Sequence, residues 1–255
     1  RIPGTEIEYS SHPIPLFAPI CRRACSGSDL NESDNHSEAI SRALDVIHSV
    51  DAESHRCIET VTRQVVTFST MDGESFATLA AHGAIFLRTP SDCDEVFFVE
   101  DLAHQCGHLL FNAITLDRSE LIAIEPNTPL GKLTGNSHEE RTLHVILHGV
   151  FTECLMALIL SGALEADLFE GRQRHELQGR LSLIMRRLQL DLNRIRDLEV
   201  FTPAARDLIE SFEEVFDGVY DRGKAGITSC DLRNQPYTFC YRRFAALNPL
   251  PLTSD

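Results

Sequence analysis

Positive charge is what this chain has least of. Its 23 Lys and Arg face 38 Asp and Glu, a formal net charge of −15. Such a surface repels a phosphate backbone. That argues against nucleic acid as a partner and suits a basic peptide or a small cation better. An uninterrupted apolar run of membrane length is also missing. The longest apolar stretch, residues 145–164, contains His148, Thr152 and Glu153, so a buried helix accounts for it better than a membrane span. The eight cysteines, at 21, 25, 57, 93, 106, 154, 230 and 240, show none of the spacings of zinc ribbons or fingers. Cys106 and Cys154 fall in strongly apolar segments, where a free thiol packs as a small hydrophobe; the expectation is reduced cysteines in a cytoplasmic protein. The first residues, RIPGTEIEYSSHPIPLF, lack a signal-peptide pattern, and the missing Met suggests a trimmed chain. Internal repeats and low-complexity tracts are absent.

What is present is ordinary globular composition, 43% hydrophobic and 24% charged over 255 residues, enough for a substantial core. Residues 1–33, rich in Pro, Ser and Gly without a sustained period, are expected as an extended N-terminal arm. Residues 34–255 read as a single helical catalytic domain, mainly α with a minor β component. Ser33 or Asp34 caps a first helix with Ile40, Ala43, Leu44 and Ile47 at helical spacing. Asp51 caps a second, with the stripe Ile58, Val61, Val65 and Phe68, broken at Met71-Asp72-Gly73. Residues 76–82 are ambiguous, and GAIFLRT, residues 83–89, reads as a strand.

Residues 94–115, DEVFFVEDLAHQCGHLLFNAIT, read as a core helix opened by a capping box of Asp92 and Glu95. After a connection over 117–135, Ser137 and Glu140 suggest a second capping box for HEERTLHVILHGVFTECLMALIL. On that helix Arg141, His144 and His148 would share one stripe. A long amphipathic helix is expected over 168–199, interrupted near Gly179. Leu177, Leu181, Ile184, Leu188 and Ile195 mark its inner face and arginines its outer one. Thr202-Pro203 opens a last helix to about Tyr220, with Leu208, Ile209, Phe212, Val215, Phe216 and Val219 inside. Residues 237–244 read as a possible strand.

His104 and His108 are four residues apart, about 400° of rotation, so both imidazoles leave one face and can share a metal ion. HExxH metalloproteases use this spacing with a glutamate base after the first histidine. Here that position is Gln105, and an amide cannot take a proton from a metal-bound water. His148 on the second apolar helix is a candidate third ligand, giving a metal site between two buried helices with open positions. His144 reads as a group supporting the ligands, although a fourth ligand or a dinuclear site stays open. Glu100 is placed to orient the His104 ring. Glu153 lies about 140° from His148 around the helix and reads as an ordinary buried carboxylate. Arg141 suits either a salt bridge to Glu139, Glu140 or Asp117, or a clamp on the carboxylate of a metal-bound ligand.

At these residues the chain resembles a bacterial family known by its HExxH motif from peptide-modification gene clusters and viewed as iron(II)- and 2-oxoglutarate-dependent peptide β-hydroxylases. The resemblance rests on GAIFLRT, FFVEDLAHQCGHLLFNAI and RTLHVILHGVF, within residues 83–155. It implies His104, His108 and His148 as the iron ligands at the catalytic centre, with 2-oxoglutarate chelating the metal and O2 taking a remaining position. It also implies Arg141, or else Arg242 or Arg243, against a co-substrate carboxylate. The implied reaction is hydroxylation of a peptide or carrier-bound amino acid in natural-product biosynthesis. Two alternatives stand beside it: a zinc hydrolase related to zincins, and a non-catalytic helical partner-binding protein.

Overall fold

The structure is a computed structural model that describes all residues except 14, 16, 26–30, 71–72 and 251–255. The chain forms two compact units, Arg1–Ile114 and Thr115–Asp255. Among the described residues there are nine α-helices and one four-stranded mixed sheet, so the fold is mainly α. The unit boundary falls inside the span 34–255 expected as one domain.

In unit 1 the elements are β1 (Glu8–Ser10), α1 (Ala18–Ala24), α2 (Ser37–Val50), α3 (Ala52–Val61), β2 (Gln64–Phe68), β3 (Phe76–Ala77), β4 (Ala84–Arg88) and α4 (Glu95–Ile114). The strand order is β1-β2-β4-β3, with β1, β2 and β4 parallel and β3 antiparallel to β4. Residues expected as a surface arm therefore supply an edge strand and a helix, and Ile2, Ile7, Cys21 and Cys25 are buried. The first helix buries Ile40, Ala43, Leu44 and Ile47, as the spacing requires. Its N-cap is His36, without a side-chain hydrogen bond, rather than Ser33 or Asp34. Asp51 does cap α3, accepting from the backbone of Glu53 and Ser54.

The stripe expected to continue to Phe68 is split, because α3 ends at Val61 and QVVTF is a strand. Val65, Val66, Thr67 and Phe68 are β-branched or aromatic, and all four are buried in an interior parallel strand, where side chains on both faces pack inside the protein. Met71 and Asp72, at the expected break, lie outside the described residues. The ambiguous segment resolves into β3 and a 3-10 turn at Leu79–Ala81, and GAIFLRT supplies β4. Helix α4 packs on α2, α3, β3 and β4. In its first turn Asp94 Oδ1 accepts from Val96 N at 3.1 Å, and Glu95 pairs with Arg42.

Unit 2 contains α5 (Leu130–Thr134), α6 (Leu143–Glu165), α7 (Gly171–Ile195), α8 (Pro203–Ser229) and α9 (Tyr241–Leu247). Helices α6, α7 and α8 pack pairwise into a core, with α9 against α7. Among the described residues α6 is the helix long and apolar enough to cross a membrane, and 72% of its most apolar window is buried within the protein. The second capping box does not form. Thr142 is the N-cap, accepting from Val145 N, so the helix starts after Arg141. Thr202 caps α8 as expected, but that helix runs on to Ser229.

Gly179 does not interrupt α7. A Cβ there would lie 2.8 Å from the Phe244 ring and 2.9 Å from the Phe239 ring. The glycine admits the tail against the helix. Three α7 arginines stack on tail aromatics in antiparallel order: Arg172 on Tyr241, Arg180 on Phe239 and Arg187 on Tyr237. The face expected to carry exposed arginines is thus partly covered, and Arg180 is buried with Glu176. The expected strand over 237–244 is replaced by an irregular segment leading into α9.

Gly179→Ala should gain helix propensity yet lower the stability of unit 2 by about 1–3 kcal/mol, because rigid rings must move to admit the methyl group. A lowered denaturant midpoint with unchanged helical circular dichroism is the expected result.

Candidate functional site: the histidine pairs

Helix α4 presents His104 and His108 from one face, both half-buried, with their Nε2 atoms 3.1 Å apart. Ligand bonds of about 2.0–2.1 Å subtending between 90° and a tetrahedral angle place two nitrogens roughly 2.9–3.4 Å apart. The pair therefore has the separation of two cis ligands on one ion. The same distance also accommodates a hydrogen bond, in which the ring protonated at Nε2 donates to the other. Burial lowers the His108 pKa to about 4, so that ring is neutral at pH 7, the form that binds a metal.

Gln105 is 1% exposed. Its amide nitrogen donates to Asp101 Oδ1 at 3.2 Å and lies 3.3 Å from His104 Nδ1. Asp101 Oδ2 accepts from Ser75 Oγ at 2.5 Å, and that hydroxyl oxygen accepts from Arg88 N at 2.9 Å. A polar chain thus runs from β4 to the histidine pair. Asp101 explains why an amide occupies position 105. A glutamate there would set two carboxylates side by side in a buried site, where both cannot ionise cheaply. Gln105 Oε1 is buried without a hydrogen-bond partner among the described residues. Ser75 and Asp101 belong to no sequence motif that would reveal this chain of hydrogen bonds. Cys106, on the opposite side of the motif, contacts Thr62 Oγ1 at 3.3 Å; burial pushes its thiol up to about 12, and it packs as a protonated small side chain.

In unit 2, His144 and His148 lie one turn apart on α6, with ring centroids 5.7 Å apart. His144 is buried; desolvation, with Arg118 adding to it, lowers its pKa to about 4. Arg141 precedes α6 and so does not share the helical stripe of these two rings. Its guanidinium is engaged from two sides, by Glu139 at 2.7 and 2.9 Å and by Asp191 at 2.7 and 3.0 Å. Arg194 joins the same carboxylates. The cluster holds Glu139 below the usual carboxylate range. Arg242 and Arg243 lie exposed on α9. Glu153 is 2% exposed, with one oxygen 3.2 Å from Arg187 Nε and the other lacking a partner among the described residues. Burial raises its pKa to about 8.

Among the described residues no group of three or more His, Cys, Asp or Glu side chains is arranged to hold a metal ion. Within unit 1 the structure pairs His104 with His108, and within unit 2 His144 with His148. The donor chemistry and spacing of the first pair fit a divalent cation. Compared with protein-family models the chain matches none, and no curated protein matches it.

Two predictions follow from these environments. Gln105→Glu should cost about 1–3 kcal/mol of stability at pH 8 through loss of the buried donor to Asp101. That loss should shrink toward pH 5, where a protonated glutamate donates again, and urea denaturation at both pH values measures it. Glu153 has a folded pKa above its ordinary 4.5. Its contribution is therefore complete below about pH 4.5 and is lost as pH rises through about 8. Glu153→Gln should consequently gain stability relative to the parent protein between pH 5 and pH 9, read from paired denaturation curves.

Proposed function

We propose that the protein is an iron(II)- and 2-oxoglutarate-dependent oxygenase that hydroxylates an amino-acid side chain of a peptide or carrier-bound substrate. The observation that carries this reading is the 3.1 Å separation of His104 and His108 Nε2 in half-buried rings, that of His108 neutral at pH 7. His148 is the proposed third ligand. Three neutral imidazoles leave the charge of a divalent ion intact, so an anionic chelating co-substrate is favoured over water. When bound, iron with 2-oxoglutarate and O2 supplies the oxidation: one oxygen atom enters a substrate C–H bond, the other enters succinate, and CO2 is released.

The chain's own residues have more limited roles. His104 and His108 would hold the ion. Gln105, tied to Asp101, keeps a proton acceptor away from the ion and so does not support the hydrolase alternative. Arg141 is proposed to bind a co-substrate carboxylate, in which role its fork exchanges one of its protein carboxylates for that of 2-oxoglutarate. A cytoplasmic location belongs to the same reading.

Anaerobic addition of iron(II) and then 2-oxoglutarate should give a visible charge-transfer band and calorimetric binding of 2-oxoglutarate that depends on iron. His104→Ala and His148→Ala should each abolish the band and weaken metal binding by at least about tenfold. The absence of both band and binding would overturn the oxygenase reading. Peptidase activity with zinc alone would transfer the site to the hydrolase alternative.

A further inference from the structure

Unit 2 contains a cavity of about 510 Å3 between α7, α8 and the segment after α8, formed by residues 182–233. That volume is within the range of small-molecule sites. We propose that it binds an organic anion, a carboxylate joined to a planar apolar body. This inference does not rest on the histidine reading, since none of those residues lines the cavity.

The apolar part of the argument is a ledge and a floor. Phe216 and Tyr220, one turn apart on α8, stack with centroids 5.7 Å apart and planes 14° from parallel. Both line the cavity as an apolar aromatic pair, with Lys224 Nζ 5.5 Å from the Tyr220 ring centroid. Met185 and Leu232 are buried beside them.

The polar part is a charge imbalance. Arg186 and Arg233 line the cavity with a single carboxylate, Asp231. Asp231 is spent on Arg233, whose Nε donates to Oδ1 at 3.0 Å and whose Nη2 donates to Oδ2 at 2.7 Å. Arg186, exposed on α7, makes no ion pair among the described residues. The lining is thus net positive on a chain of net charge −15, the reverse of its general surface. A helix C-terminus ordinarily disfavours anions. Here two carbonyls near that end of α8 accept from side chains: Thr228 Oγ1 donates to Lys224 O at 2.7 Å and Ser229 Oγ to Gly226 O at 2.9 Å. A planar guanidinium and an aromatic pair lining one cavity suit a carboxylate with an apolar body.

The test uses N-acetylphenylalanine and its uncharged amide, titrated into the full chain by calorimetry and saturation-transfer NMR. The acid should bind saturably with a Kd of about 1 mM or tighter. The amide should bind at least about tenfold more weakly, a loss of roughly 1.4 kcal/mol. Arg186→Ala, at an exposed position that should not disturb folding, should weaken the acid by a similar factor and leave the amide unchanged. Tyr220→Ala should weaken both. Equal binding of acid and amide, an unchanged Kd in Arg186→Ala, or no saturation up to about 10 mM would each overturn the proposal.

Discussion

A buried amide donating to a buried carboxylate sets the character of α4. Asp101 and Gln105 are one turn apart on a helix whose other positions are almost all apolar, and each must find its hydrogen bonds inside the protein. They find them in each other and in Ser75, which also receives a backbone N–H of β4. The result fixes the histidine helix against the sheet through polar contacts as well as apolar ones. It also decides the chemistry available beside the histidines, because the position that would hold a general base in a zincin holds a donor already committed to an aspartate.

Unit 2 uses charge in a different way. Its buried ions come in pairs and clusters: Arg180 with Glu176, Glu153 with Arg187, and Arg141 and Arg194 with Glu139 and Asp191. Each bridges two turns or two elements, and the desolvation of each charge is offset by a partner rather than by water. Glu153 is the exception in degree. One of its oxygens has no partner among the described residues, and burial raises its pKa. Arg172, Arg180 and Arg187 of α7 stack on Tyr241, Phe239 and Tyr237, so the segment after α8 is held by ring contacts where little regular secondary structure is present.

The contrast between the two histidine-bearing helices shows how local spacing and packing share the work. Helix α4 places His104 and His108 by periodicity alone, and their nitrogens end at a separation that one ion can span. Arg141 was expected on a helical face with His148 and is instead outside the helix, because Thr142 takes the capping position. Seven residues of spacing carry information about direction only where the intervening backbone is helical.

Periodic apolar residues, Asp51 and Thr202 as caps, and the four-residue histidine spacing were legible in the sequence because each depends on residues within a turn or two of one another. The inner face of α7 was legible for the same reason. Tertiary structure alone decided the rest. QVVTF became a strand because parallel neighbours were available on both sides; Gly179 stayed helical because two tail rings needed its missing side chain; Ser75 reached Asp101 across 26 residues. These outcomes turn on hydrogen-bond partners and close contacts far apart in the chain, which no local pattern encodes.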